Sequence, residues 1–153
     1  MEAINKYIVV KLKEQAYGVH VQQIISIERL EAITAIPRSS PFIKGVINLR
    51  GETTPIIDLK ERLYIGKSEP TEDSRVLIVQ LDEVQVGLIV DSATEVIDID
   101  QAAIEPAPQI IGGVHEGFLK GVAKLEDKLL ILLDLERILD LNETTEVREI
   151  VEG

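Results

Sequence analysis

The chain has 153 residues, 45% of them hydrophobic, enough for one ordinary domain or two very small packed halves and too apolar for wholesale disorder. Its formal charge of −11 repels polyphosphate and anionic lipid, and three Tyr, two Phe and no Trp leave little surface for stacking bases or sugars. The lack of cysteine excludes a disulfide framework and thiolate chemistry and fits a reducing compartment.

Residues 1–10 (MEAINKYIVV) hold no basic region followed by a long apolar run, so no signal peptide is read there. No apolar run approaches the roughly 18 residues of a membrane span. The chain reads as soluble and cytoplasmic. Residues 7–12 (YIVVKL) are β-branched and apolar, a strand. A turn at 13–15 leads to 16–21 (AYGVHV), whose alternation predicts a half-buried strand paired back on the first. In 22–36 the anchors are Ile25, Ile27, Leu30, Ile33 and Ile36. A helix over 22–30 competes there with a bent strand, and the Ile and Thr content favours the strand. Residues 37–41 (PRSSP) form a loop.

Residues 42–63 (FIKGVINLRGETTPIIDLKERL) predict a strand over 42–49, a turn at Arg50–Gly51, a returning strand over 53–57 and a short helix headed by Asp58. Glu61, three residues after Asp58, makes the helix start resemble a capping box. Residues 64–74 are a polar linker with Gly and Pro, the boundary between two halves.

The stretch then recurs. Residues 118–139 (FLKGVAKLEDKLLILLDLERIL) copy 42–63 at an offset of 76, with eight of 22 positions identical, among them Gly45/Gly121 and Asp58/Asp134. Residues 76–81 align with 7–12 at an offset of 69, which also pairs Gly18/Gly87 and Val21/Val90. Such self-similarity decides the architecture. Residues 84–90 and 95–99 supply the second and third strands of this half. The seven extra residues fall in 106–117, where 107–117 (APQIIGGVHEG) reads as a long loop carrying Ile110 and Ile111. The second hairpin spans 118–133, with Glu126–Asp127 as its turn. Asp134 heads another short helix, and 142–151 reads as a terminal helix capped by Asn142 or Thr144.

Each half offers about five short strands and a helical turn, which suits a small closed barrel, because closure removes exposed edges. The expected fold is mainly β, two similar five-stranded barrels with a groove between them. The approximate units are 1–68, with the N-terminal strand exchanging into the other barrel, 74–140, and a tail at 141–153.

The catalytic vocabulary is thin. His20 lies in an alternating strand and His115 in a Gly-rich loop, neither in a metal-ligand spacing. Asp58 and Asp134 are helix caps rather than paired acids. Glu95, Asp98 and Asp100 read as a solvated strand edge. Gly66-Lys67-Ser68 mimics the end of a phosphate loop, but Glu61 stands where the first Gly is required. No catalytic, cofactor-binding or metal-binding residue is assigned. Arg50 differs, because its counterpart in the repeat is Glu126. It is either a solubilising charge or a contact residue beside a glycine that permits close approach.

The stretch FIKGVINLRG…TPIIDLKERL resembles the signature of the CheW family of bacterial chemotaxis. The resemblance extends over nearly the whole chain, through Tyr17-Gly18, residues 86–91 (VGLIVD), Glu105-Pro106-Ala107-Pro108 and residues 118–121 (FLKG). It implies a pair of five-stranded SH3-like β-barrels and a non-enzymatic adaptor without cofactors. Such an adaptor joins the cytoplasmic tips of methyl-accepting chemoreceptors to the regulatory domain of the histidine kinase CheA. It is a monomer in isolation and a ring member in arrays beneath the membrane, without inserting into it or binding nucleic acid. By position, the resemblance implies a receptor groove involving Ile24, Gly45, Arg50 and Val96, and a kinase contact at Gln109 and Ile110. Many relatives carry Glu where Ser26 stands here. The alternatives within the fold are the CheW-like part of CheV, a coupling protein of another chemosensory system and a CheA regulatory domain. Outside it, the alternative is a small ligand-binding or enzymatic β-barrel.

Overall fold

The structure, a computed structural model, describes residues 4–30, 33–35, 43–81, 83–111, 114–126 and 128–139, apart from the side chains of Leu81, Ile110, Ile111 and Glu116. The loop expected at 37–41 and the terminal helix expected at 142–151 lie outside these residues, as do Phe42 and Asp127.

The first copy supplies β1 (Ile4–Leu12), β2 (Gln15–His20), a 3-10 turn (Val21–Gln23), β3 (Ile24–Arg29), β4 (Ile43–Leu49), β5 (Glu52–Asp58) and α1 (Leu59–Arg62). The second supplies β6 (Arg75–Leu81), β7 (Val84–Val90), β8 (Ser92–Asp100), a 3-10 turn (Gln101–Ala103) and β9 (Ile104–Glu105). It continues with β10 (Ile110–Ile111), β11 (Val114–His115), a 3-10 turn (Glu116–Phe118), β12 (Leu119–Lys124), β13 (Leu129–Leu133) and α2 (Leu135–Ile138).

One sheet runs β3-β6-β7-β5-β4. Past β3 the chain returns to the far edge, where Thr34 and Val46 exchange two backbone hydrogen bonds of 2.9 Å, so the sheet closes into a barrel. The other sheet runs β8-β1-β2-β13-β12-β9. Here β8 and β9 are one bent strand interrupted by a 3-10 turn, and their pairings with β1 and β12 close the second barrel. Two five-stranded barrels result, as the repeat predicts.

The barrels do not follow the two copies. Strands β1 and β2 of the first copy build the second barrel, and β6 and β7 of the second copy build the first. The seams are parallel pairs, β5 with β7 and β13 with β2, at equivalent places in the repeat. The bulges repeat too. Lys44 is the extra residue where β4 passes from Ile43 to Gly45, and Lys120 is the extra residue where β12 passes from Leu119 to Gly121. Gly45 sits at φ 146° and Gly121 at φ 156°. A Cβ at Gly45 would overlap the Thr34 carbonyl, and one at Gly121 would lie 2.6 Å from the Glu105 carbonyl oxygen. Both glycines are there because the closing strand passes against the bulge.

Three apolar clusters fill the molecule. Tyr7, Val9, Ile99, Ala123, Leu130 and Leu132 fill the second barrel. Ile56, Val76, Ile78 and Ile89 fill the first, with Leu30, Ile33, Ile47 and Leu49 packed against them. The largest cluster lies between the barrels and takes alternate residues of the same strands, including Val10, Leu12, Leu77, Val79, Leu88 and Leu133, with Leu59, Leu135 and Ile138 from the helices. Strands buried on both faces read as continuous apolar runs, which explains VLIV at 76–79 and LILL at 130–133. Burying each such side chain is worth about 1.5–3 kcal/mol.

Charged side chains stitch the seam. Asp91, where the chain crosses from β7 to β8, accepts from the Lys13 backbone at 2.9 Å and pairs with the nearly buried Lys60 at 2.8 Å. The buried Arg62 of α1 donates from Nε to the Ile138 carbonyl of α2 at 2.6 Å and lies 4.8 Å from the centre of the Phe118 ring.

Two expectations are corrected. The long loop over 107–117 contains a small hairpin, β10 with β11, in which Ile110 faces His115 in register. Ile25 and Ile27, read as anchors, are 45% and 43% exposed. The residues of this stretch that pack inward are Ile24, Leu30 and Ile33. A bulge between Ile24 and Ser26 sets the phase.

Candidate interaction surface

Arg50 and Gly51 form the two-residue turn between β4 and β5, with φ of 53° and 84°. Positive φ at both central residues matches the right-handed twist of the flanking strands. Asn48 holds the turn by accepting from the Gly51 N–H at 3.1 Å. Arg50 is exposed at this braced tip and makes no ion pair among the described residues. Lys13 and Glu14 form a turn of the same hand between β1 and β2, so the backbone conformation by itself marks no function.

Ile24 opens β3, partly buried against the core between the barrels. Val96 lies on β8 and is 54% exposed. Gly45 is buried in the β4 bulge beside Ile33 and Thr34, so its identity already has a structural reason. These four residues thus stand on four elements, three in the first barrel and Val96 in the second. Gln109 is exposed just before β10, and Ile110 lies in β10.

Sequence reasoning passed over Ile27 as a surface residue. It pairs with Leu77 as Val96 pairs with Ile8, and Leu77 is the repeat counterpart of Ile8. Ile27 and Val96 are therefore the same position of the two barrels, and both are exposed. The signal was present in IISI, which places apolar side chains on both faces of a strand in which only one face packs inward.

Each histidine spends one ring nitrogen on the backbone. His20 Nδ1 accepts from the Gln22 N–H at 3.1 Å and His115 Nδ1 from the Gly117 N–H at 2.9 Å, so each caps a 3-10 turn. Asp58 caps α1 and Asp134 caps α2. Asp100 caps the turn after β8 by accepting from Ala102 N–H, while Asp98 and Glu95 pair with Lys6 and Lys128. Among the described residues, no group of three or more His, Cys, Asp or Glu is placed to hold a metal, and no helix is long and apolar enough to cross a membrane.

Residues 6–143 match the family model described as CheW-like domain. The Bacillus subtilis chemotaxis protein CheW is 37% identical over 136 residues, spanning 89% of this chain and 87% of that protein. The crystal structure of the scaffolding protein TtCheW from Thermoanaerobacter tengcongensis superposes with a TM-score of 0.83 at 39% identity, covering 92% of this chain and 91% of the other. Helicobacter pylori CheV3 is 31% identical over 130 residues, but the match spans 42% of that protein.

Proposed function

The chain belongs to the CheW-like domain family, and we propose that it joins the cytoplasmic signalling tips of chemoreceptors to the histidine kinase CheA. It is a chemotaxis adaptor, and its work is to hold partners in register. The CheV reading is not better supported: CheV3 is 31% identical to this chain, against 37% for the Bacillus subtilis CheW.

One observation supports the receptor contact most. Arg50 is an exposed cation on a braced hairpin tip, without an ion pair among the described residues, in a chain of net charge −11. A planar guanidinium held on a rigid turn suits an acidic or carbonyl-rich partner. Ile24, Ile27 and Val96 supply apolar surface, the kind that a helical receptor tip covers with an apolar stripe while a charge at the rim sets register. Gly45 serves this surface indirectly, by holding the β4 bulge. Gln109 and the β10–β11 hairpin form a second contact, to the kinase regulatory domain. Two modest contacts on one adaptor gain effective affinity when receptor and kinase are already arrayed.

The test is co-sedimentation with receptor signalling-domain helices, with and without CheA, together with receptor-dependent kinase activity. Arg50→Ala is expected to leave the circular-dichroism spectrum and melting temperature unchanged and to weaken receptor coupling about tenfold, the loss of about 1.4 kcal/mol. Ile110→Asp is expected to reduce assembly with CheA more than binary receptor binding. Full kinase activation by folded Arg50→Ala would overturn the receptor assignment, and equal loss of both activities in Ile110→Asp would overturn the two-contact reading.

A further inference from the structure

We propose that the mouth of the second barrel binds a small free anion carrying a carboxylate or phosphate group, a site independent of the adaptor contacts above. The mouth is a cavity of about 400 Å³ lined by Asn5, Tyr7, His20, Gln101, Ile104 and Lys120.

The first barrel is an internal control for this site. At the places of Tyr7, His20 and Ile104 it carries Val76, Ile89 and Ile33, all packed in its apolar interior. These places are hydrocarbon in the first barrel, whereas in the second Tyr7 and His20 bring polar groups to the cavity.

The cation of the site has also lost the partner that the duplication provides. Lys44, the bulged residue of β4, reaches Glu61 at 2.6 Å. Lys120 is the bulged residue of β12, but the counterpart of Glu61 is Arg137, which is itself turned to Asp134 at 3.5 Å. Lys120 consequently makes no ion pair among the described residues and borders the cavity instead.

The neutral groups around it can donate. His20 Nδ1 already accepts from the Gln22 N–H, so the ring carries its proton on Nε2 and offers a donor there. Burial first, and the Lys120 charge second, push the His20 imidazole below its ordinary pKa, keeping it a neutral donor near neutral pH. Tyr7 stands edge-on to this ring, with centroids 5.1 Å apart, and adds a hydroxyl, while Asn5 and Gln101 add amides. Of the acids nearby, Asp98 is ion-paired with Lys6 and Glu105 with Lys124, while Asp100 is not itself a lining residue and turns to the Ala102 N–H. One ammonium among neutral donors matches a single small anion, since charge-assisted hydrogen bonds are the stronger ones.

The test titrates sodium succinate and, separately, inorganic phosphate into the ¹⁵N-labelled full chain at constant ionic strength, with sodium chloride as the control. Saturable shifts are expected at the amides of Gln22, Lys120 and Gly121 and at the His20 ring with at least one probe, and the responding probe names the anion class. Lys120→Gln is expected to weaken binding about tenfold, and Asn5→Asp, which adds a repelling carboxylate, to weaken it as well. Lys44→Gln in the other barrel leaves it unchanged. Thermal melts establish that each variant is folded. Shifts that fail to saturate, that chloride reproduces, or that saturate in folded Lys120→Gln at the same concentration as in the parent chain would overturn the site.

Discussion

At Gly45 the backbone takes φ 146°, and a side chain would meet the Thr34 carbonyl and the Ile33 methyl. At Gly51 the φ is 84° with nothing within 4 Å of an added Cβ. Both glycines are required by conformation, but only one is also required by space. Gly45→Ala is therefore expected to cost about 3 kcal/mol or more, and Gly51→Ala about 1 kcal/mol, in urea unfolding. Equal costs would show that the close pass of the closing strand is not the constraint. The Gly45/Gly121 identity was legible in the sequence as part of the repeat. Its cause was not, because the clash is with residues brought near by barrel closure. The histidines were legible as standing outside any metal-ligand spacing, yet their capping role needed the 3-10 turns that follow them.

Among the elements, the two short helices repeat in sequence and differ in anchorage. Asp58 is fully buried and accepts from the Lys60 N–H at 3.1 Å, the Ser68 N–H at 2.8 Å and the Ser68 hydroxyl at 2.6 Å. It thus caps α1 and pins the linker. Asp134 is only partly buried and caps α2 through one long bond of 3.3 Å from the Arg137 N–H. Asp58→Ala, which leaves buried donors unsatisfied, is expected to cost about 2–4 kcal/mol, and Asp134→Ala about 0.5–1 kcal/mol. Denaturant midpoints of the two variants check the order, and a larger loss for Asp134→Ala would contradict it. Capping was legible from an Asp before each helical run. The bond to Ser68 was not, since it joins residues ten apart across an irregular turn. Likewise β10 and β11 escaped prediction, because two-residue strands leave no periodicity to detect.

At the scale of the whole molecule, each barrel borrows two strands from the other copy, so each copy alone lacks the partners of its parallel seam. Residues 1–68 and 69–153 expressed separately are expected to remain unfolded, and mixing them to restore the native spectrum. Cooperative folding of either piece alone, seen by thermal melting, would refute this. The amino-acid sequence by itself determined the β class, the positions of the longer strands, the duplication and the family, because alternation, turn residues and repeated identities are local and survive in one dimension. It also marked Arg50, as the charge at which the two copies part. Only the tertiary structure decided that two strands of each copy, rather than the N-terminal strand alone, cross into the other barrel, that Gly45 serves the bulge, that Ile27 matches Val96 at the surface, and that Lys120 borders a polar cavity. Each of these depends on which distant residues become neighbours, and strand pairing with its register is a property of closure rather than of any segment.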